Sequence, residues 1–431
     1  MGKMSTVEMQ IAERARKYPN EALTNLHQYI DEAMLHESFR LLNKQGAAGV
    51  DRETWQDYDR TKAERIPQLL AGFKSGSYRA PHIRRTYIPK GDGKLRPLGL
   101  PTVEDKLLQT VVNQVLTPVY EGLFYASSYG FRPGKSQHQA LEALFKEVSF
   151  EGKAYIIDAD MKNYFGSINH QRLREFLDLR IKDGVIRKMI DKWLKAGILE
   201  EGKVTYPKEG TPQGGSISPL ISNIYLHYVL DEWFIEQIQP LLKGKSFLIR
   251  FADDFLLGFT HKEDAERVME VLPKRLGKYD LILHPDKTHL IELREKGESD
   301  DDHESGSFDF LGFTHYMGSS REGNMILKRK TSSKKYRSAL KRMNEWIRDN
   351  RHQKVRMLID ELNQKLRGHY GYYGITFNSR RISSYYEQVK RQLYYWLNRR
   401  GGKRSWNWEK YVKLIREWKP LIKPKMYHSY I

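Results

Sequence analysis

Asp253 and Asp254 stand side by side between two apolar runs, residues 246–250 and 255–259. Adjacent carboxylates flanked by Phe251, Phe255, Leu256 and Leu257 are expensive, because like charges in a low-dielectric setting repel and lose hydration. A divalent cation removes that cost. An exposed hairpin turn would remove it too, with no chemistry attached, and the apolar flanks weigh against that reading. Asp160 is the natural third ligand: the short buried strand at 154–157 runs into Asp158 and Asp160, just ahead of Met161-Lys162-Asn163-Tyr164-Phe165. Three carboxylates on two strands suit a pair of magnesium ions about 3.5–4 Å apart, one activating a hydroxyl nucleophile and the other clamping a phosphate leaving group. Spacing alone does not bring Asp160 to Asp253.

The elements that must carry these residues show in the periodicity. Helical and strand periods alternate through residues 1–320, which predicts a mixed α and β region. Tyr87-Ile88-Pro89-Lys90-Gly91-Asp92-Gly93-Lys94-Leu95-Arg96 reads as a hairpin with a positive-φ turn at Asp92-Gly93. Ser136 and Gln139 form a capping box ahead of a helix with Leu141, Leu144, Phe145 and Val148 on one face. Ser218 as N-cap and Pro219 in the first turn start a helix whose apolar face is Ile221, Ile224, Tyr225 and Tyr228. The acidic run at 297–304 is expected as a solvated loop rather than a metal site. Beyond residue 328 three helical stripes follow: Tyr336, Leu340, Met343 and Ile347, then Leu358, Leu362 and Leu366, then Tyr386, Val389, Leu393 and Trp396. These predict a small bundle, after which Gly401-Gly402 leads into a short basic, Trp-rich tail.

Composition narrows the partners. The 431 residues include 73 Lys and Arg, 54 Asp and Glu and no cysteine, a formal charge of +19. Without cysteine there is no disulfide partner and no Cys-ligated zinc. No apolar run approaches the roughly 18 residues of a membrane span, and residues 1–20 lack a signal-peptide core. A soluble, cytoplasmic protein with no membrane partner is therefore expected. Residues 321–431 hold 29 Lys and Arg against 8 Asp and Glu, whereas residues 1–320 are close to neutral. A cluster that one-sided requires a polyanion, and without an apolar insertion face it points to nucleic acid rather than lipid.

Six blocks then fall in order: Ile88-Pro89-Lys90 with Arg96, Ser128-Tyr129-Gly130-Phe131-Arg132-Pro133-Gly134, Asp160 with Phe165, Thr211-Pro212-Gln213-Gly214-Gly215-Ser216-Ile217-Ser218-Pro219-Leu220, Phe251-Ala252-Asp253-Asp254, and Phe310-Leu311-Gly312-Phe313. Together they resemble reverse transcriptases, and most of all the bacterial group II intron reverse transcriptase–maturase family. Asn43-Lys44-Gln45-Gly46-Ala47-Ala48-Gly49-Val50-Asp51 is similar to that family's opening block, and Leu362-Asn363-Gln364-Lys365-Leu366-Arg367-Gly368-His369-Tyr370 to its thumb, or maturase, region. The resemblance covers roughly residues 36–400. It implies an α+β right-hand polymerase, with a helical extension at 1–35, mainly fingers at 36–153 and mainly a palm with an antiparallel sheet at 154–320. A three-helix thumb or maturase region at 321–400 and a basic tail at 401–431 would follow, without a C-terminal endonuclease module.

The same resemblance implies RNA-directed DNA synthesis from dNTPs. Asp160, Asp253 and Asp254 would be the catalytic and metal-binding residues, holding two Mg2+ ions, with Mn2+ able to substitute. Lys90 and Arg96 would grip the incoming triphosphate, Gln213 would line the nascent base pair, and Phe165 would exclude a 2′-hydroxyl. Arg132 and Phe131 would support the fingers and template. The implied partners are an RNA template, a DNA or RNA primer and a structured group II intron RNA whose splicing and mobility the protein assists. A free-standing relative used in phage defence or DNA repair would need the same residues. A maturase that only binds RNA fits the intact acidic trio poorly. Two positions depart from the family pattern: Phe251 stands where tyrosine is more frequent, and Gly166 where relatives commonly carry aspartate.

Overall fold

The computed structural model describes residues 5–89, 95–211, 214–293, 306–401 and 406–430. The chain forms two compact units, one from Met1–Ala140 with Ile157–Leu290, the other from Leu141–Ile156 with Ile291–Ile431. Lys90, Asp92, Gly93, Gln213 and the acidic run at 297–304 lie outside the described residues.

In the first unit the Val103–Glu121 helix is the central post. Valines and leucines occur around its circumference, so twelve of its residues are buried, as expected of a helix enclosed on several sides. Thr102 caps it by accepting the Asp105 N–H. The expected hairpin forms from strands Ile83–Pro89 and Leu95–Leu100, with Ile88 opposite Arg96. Its first strand also pairs with Ile198–Glu200, which pairs in turn with Lys203–Thr205, giving a four-stranded sheet. A second four-stranded sheet runs in the order Ser246–Phe251, Asp254–Phe259, Tyr155–Asp160, His289–Glu292. Its first two strands are an antiparallel hairpin in which Phe247, Leu248, Ile249, Phe255, Leu256 and Leu257 are buried.

Two local expectations need correction. The strand expected at 154–157 spans Tyr155–Asp160, so Asp158 and Asp160 belong to it rather than following it. Sheet neighbours on both sides satisfy its backbone, which lets the strand continue into the acidic residues. Ser218 is not the N-cap: Ile217 holds that position without a side-chain cap, and Ser218 begins the Ser218–Leu226 helix. Its hydroxyl accepts a hydrogen bond from Thr211 Oγ1 at 2.8 Å instead. Past Leu226 the helix widens into π-helical turns at His227–Asp231 and Trp233–Ile238.

The second unit contains an antiparallel sheet of Ser307–Phe310, Phe313–Ser319 and Met325–Thr331, followed by three helices, Ser333–Asn350, Val355–Tyr373 and Ser379–Leu397. The second stripe is as expected, with Leu358, Leu362 and Leu366 fully buried. The third keeps Val389 and Leu393 as expected but buries Tyr385 and Leu397 in place of Tyr386 and Trp396 at its two ends. Trp396 stays at the edge because its indole N–H donates to Asn344 Oδ1 at 2.8 Å. The segment expected as a tail supplies Tyr411, Leu414, Ile415 and Leu421 to the same core. Among the described residues no helix is long and apolar enough to cross a membrane.

Candidate active site

The acidic pair sits on a tight turn. Phe251 and Asp254 are the last partners of the hairpin, which leaves Ala252 and Asp253 as its two-residue connection. Ala252 has φ +59°, in the left-handed region that costs an L-residue with a Cβ roughly 1–2 kcal/mol. The segment ahead of Arg132 holds this turn in place. Tyr129 N–H donates to the Arg250 carbonyl at 2.8 Å, and Arg250 N–H donates to the Ser127 carbonyl at 2.9 Å. Gly130 then lies so close that a Cβ would collide with the Ala252 amide and come within 2.9 Å of the Phe251 carbonyl carbon. Arg132 supports this loop from inside: it pairs with Glu121 at 3.0 Å and donates to the carbonyls of Tyr125 at 2.6 Å and Ser128 at 2.8 Å. Phe131 projects outward and is 58% exposed.

Asp254 opens a strand whose neighbour ends at Asp160, and the charge of Asp160 acts on both Asp253 and Asp254, so the three expected carboxylates lie within electrostatic reach of one another. Asp158, two residues before Asp160, lies on the same strand face. Burial pushes the Asp254 carboxyl well above its ordinary range, and the charges of Asp158, Asp253 and Asp160 push it further, with Lys287 opposing. Asp253 is also raised, first by burial and then by Asp160, with Arg96 and Arg250 opposing. Arg96 on the hairpin is thus within electrostatic reach of the turn. The Lys287 ammonium pairs directly with Asp160. The chain beside it is fixed by His284 N–H donating to the Asp160 carbonyl at 2.8 Å and Lys162 N–H to the Ile282 carbonyl at 2.8 Å.

Among the described residues no group of three His, Asp or Glu side chains converges as a ready-made metal cage. The donor set nevertheless suits a hard cation. It is all oxygen, and burial with mutual repulsion leaves it short of positive charge, met in part by one lysine.

Phe165 lies on the short turn Tyr164–Gly166, half-buried, with its ring edge-on to Tyr164 at 5.4 Å. Its carbonyl accepts the Thr211 N–H at 2.7 Å, which ties the glycine-rich block to the strand carrying Asp160. The glycine at 166 has a local reason, since a Cβ there would run into the Asn163 side chain. Of the residues expected at the site, Asp160, Asp253, Asp254, Arg96 and Phe165 are therefore placed, while Lys90 and Gln213 are not described. Sequence reasoning missed Lys287, Arg250 and Asp231 and assigned nothing to Asp158. Arg250 had a usable sign, because an arginine inside the apolar strand 246–251 demands a buried partner.

Residues 88–315, which contain all three aspartates, match the family Reverse transcriptase (RNA-dependent DNA polymerase). Residues 336–412 match Group II intron, maturase-specific domain. Protein YkfC of Escherichia coli (strain K12) is 30% identical over 358 residues, covering 75% of this chain and 91% of that protein. The chain belongs to the group II intron reverse transcriptase–maturase family. Within that family, the Group II intron-encoded protein LtrA of Lactococcus lactis subsp. cremoris is 35% identical over 228 residues, 52% of this chain. The chain spans 38% of the length of that relative. Telomerase reverse transcriptase of Takifugu rubripes, a more distant relative, is 27% identical over 206 residues, 46% of this chain and 18% of its own length.

Proposed function

We propose that this protein is an RNA-directed DNA polymerase that extends a primer with dNTPs on an RNA template and binds structured group II intron RNA to assist splicing. The observation that carries the polymerase reading is that Asp160 ends the strand next to the one Asp254 opens, with Asp253 in the adjoining turn and both carboxyls of the pair raised by burial and by the charge of Asp160. The maturase-specific match at 336–412 supports the intron role over a free-standing enzyme. In this reading residues 36–153 are mainly fingers, 154–320 mainly palm and 321–400 the thumb.

Asp160, Asp253 and Asp254 would hold two divalent cations, Mg2+ in the first instance. Bound there, such ions activate a 3′-hydroxyl and neutralise charge developing on the phosphates. The rest falls to the chain itself. Arg96, and Lys90 six residues before it, would meet the triphosphate, Arg as a bidentate fork and Lys as a point charge. Gln213 would face the nascent base pair. Lys287 would release Asp160 when cations compensate the carboxylates. Primer extension by the wild-type protein on an RNA template tests the reading, and no dNTP incorporation with Mg2+ or Mn2+ would sink it.

The half-exposed Phe165 ring is proposed to press against C2′ of the incoming sugar. Phe165→Val should therefore raise ribonucleotide incorporation relative to the matching dNTP by about tenfold or more. Single-nucleotide extension with each rNTP and dNTP measures this, and unchanged discrimination would assign the ring to packing alone.

The basic second unit is proposed as the main RNA surface. Lys334, Lys335 and Arg337 are exposed at the start of the Ser333–Asn350 helix. Replacing all three with alanine should flatten the dependence of log affinity on log salt by about 0.7–0.9 per lost phosphate contact, or roughly two overall. Filter binding across a salt series reads the slope, and an unchanged slope would place the RNA track elsewhere.

A further inference from the structure

We propose that Arg250, Asp231 and Asn223 form a buried positioning device that sets the conformation of the Ala252–Asp253 turn and thereby the rate of nucleotide addition. The proposal rests on the polymerase reading above. Arg250 and Asp231 are both fully buried, and the guanidinium forks onto the carboxylate at 2.7 Å from Nε and 2.6 Å from Nη2. Its Nη1 is free for a different task. It donates to Asn223 Oδ1 at 2.8 Å and to the carbonyl of Ala252 at 3.1 Å. Asn223 passes the constraint on, donating from Nδ2 to the carbonyl of Gly130 at 2.7 Å. Gly130 in turn lies against the Ala252 amide. The residue immediately before Asp253 is thus held by its carbonyl from one side and packed at its amide from the other, in a left-handed conformation that alanine does not choose by itself.

The helix opposite is shaped for this contact. Asn223 and Asp231 are eight residues apart, which on an α-helix of about 100° per residue leaves them roughly 80° apart around the axis. The π-helical turn His227–Asp231 advances only about 80° per residue, so the two side chains come nearly into line and both reach Arg250. Widening a helix forfeits regular hydrogen bonding, and a buried ion pair is a weak source of stability compared with apolar packing. What the arrangement supplies is direction: a rigid planar fork on Asp231 aims the remaining N–H groups at the turn.

The test compares wild type with the double variant Arg250→Met/Asp231→Leu and with Asn223→Ala, by steady-state primer extension, template–primer binding and thermal melting. The double variant removes both charges together, so the core stays filled with no stranded ion. It should melt near wild type and bind template–primer within about twofold, while kcat falls by about thirtyfold or more and KM for dNTP changes little, because a displaced turn harms the reacting geometry rather than binding. Asn223→Ala loses only the link between the guanidinium and Gly130 and should lower kcat by about tenfold. Wild-type kcat in a folded double variant would overturn the proposal. If that variant does not fold, wild-type kcat in Asn223→Ala overturns it. Failure of the wild-type protein itself to extend a primer would overturn the underlying polymerase reading instead, which is a distinct result.

Discussion

Asp253→Asn should slow primer extension by about a thousandfold or more while leaving RNA affinity within a few-fold. The substitution preserves the shape of the side chain and removes one negative charge from the group formed with Asp160 and Asp254. In the proposed reading, loss of that charge would weaken cation binding and withdraw activation from the attacking hydroxyl. The same substitution relieves the folded protein. Burial raises both Asp253 and Asp254, Asp160 raises both further, and Asp158 and Asp253 add to Asp254, so each ionised carboxylate opposes folding as pH rises through its folded-state pKa. In divalent-free buffer at neutral pH the melting temperature of Asp253→Asn and Asp254→Asn should therefore hold or rise. Extension assays, filter binding to the same RNA and melting curves make three separate readouts. Robust extension by the Asp160→Asn or Asp253→Asn protein would show that the trio is not the catalytic centre. Joint collapse of melting temperature, binding and extension would make the carboxylates structural.

The acidic pair was readable from sequence because it violates its surroundings: two carboxylates interrupt a hairpin that is otherwise apolar. Asp160 could be joined to it only through the order of the family blocks, since nothing within 90 residues of chain says which strands become neighbours. Asp158 had a local sign in its two-residue spacing from Asp160. Lys287 had none, being 127 residues from its partner Asp160 and in a polar turn that reads as surface. Asp231 was hidden for a different reason. Its approach to Arg250 depends on a helix that widens, and a 3.6-residue period turns that carboxylate away from Asn223. Hydroxyl chemistry misled at Ser218, where the N-cap pattern is sound but Thr211 competes for the oxygen. The long stripes of the second unit were legible, and at the C-terminal end of the third the indole of Trp396 bonds Asn344 at the edge while Leu397 is buried.

Gly130→Ala should be the most damaging substitution outside the acidic residues, lowering kcat by about a hundredfold and stability by about 1–3 kcal/mol. The added methyl meets main chain on every side: the amide and Cα of Ala252 and the carbonyl carbon of Phe251. A flexible side chain could rotate away, but these atoms belong to a hairpin paired at Phe251–Asp254 and bonded to the neighbouring segment through Arg250. Either the turn shifts, carrying Asp253 with it, or the loop at 127–130 lifts and gives up its bonds to Arg250 and from Asn223 Nδ2. Both routes disturb the position of Asp253. Gly122→Ala provides the comparison, because a methyl there meets nothing within 4 Å and its φ of −73° suits any residue. That protein should melt at or above the wild-type temperature and extend primers normally. Wild-type extension by Gly130→Ala would mean that the turn tolerates displacement, and that the close packing of the Ser128-Tyr129-Gly130 block against it serves the fold rather than the chemistry.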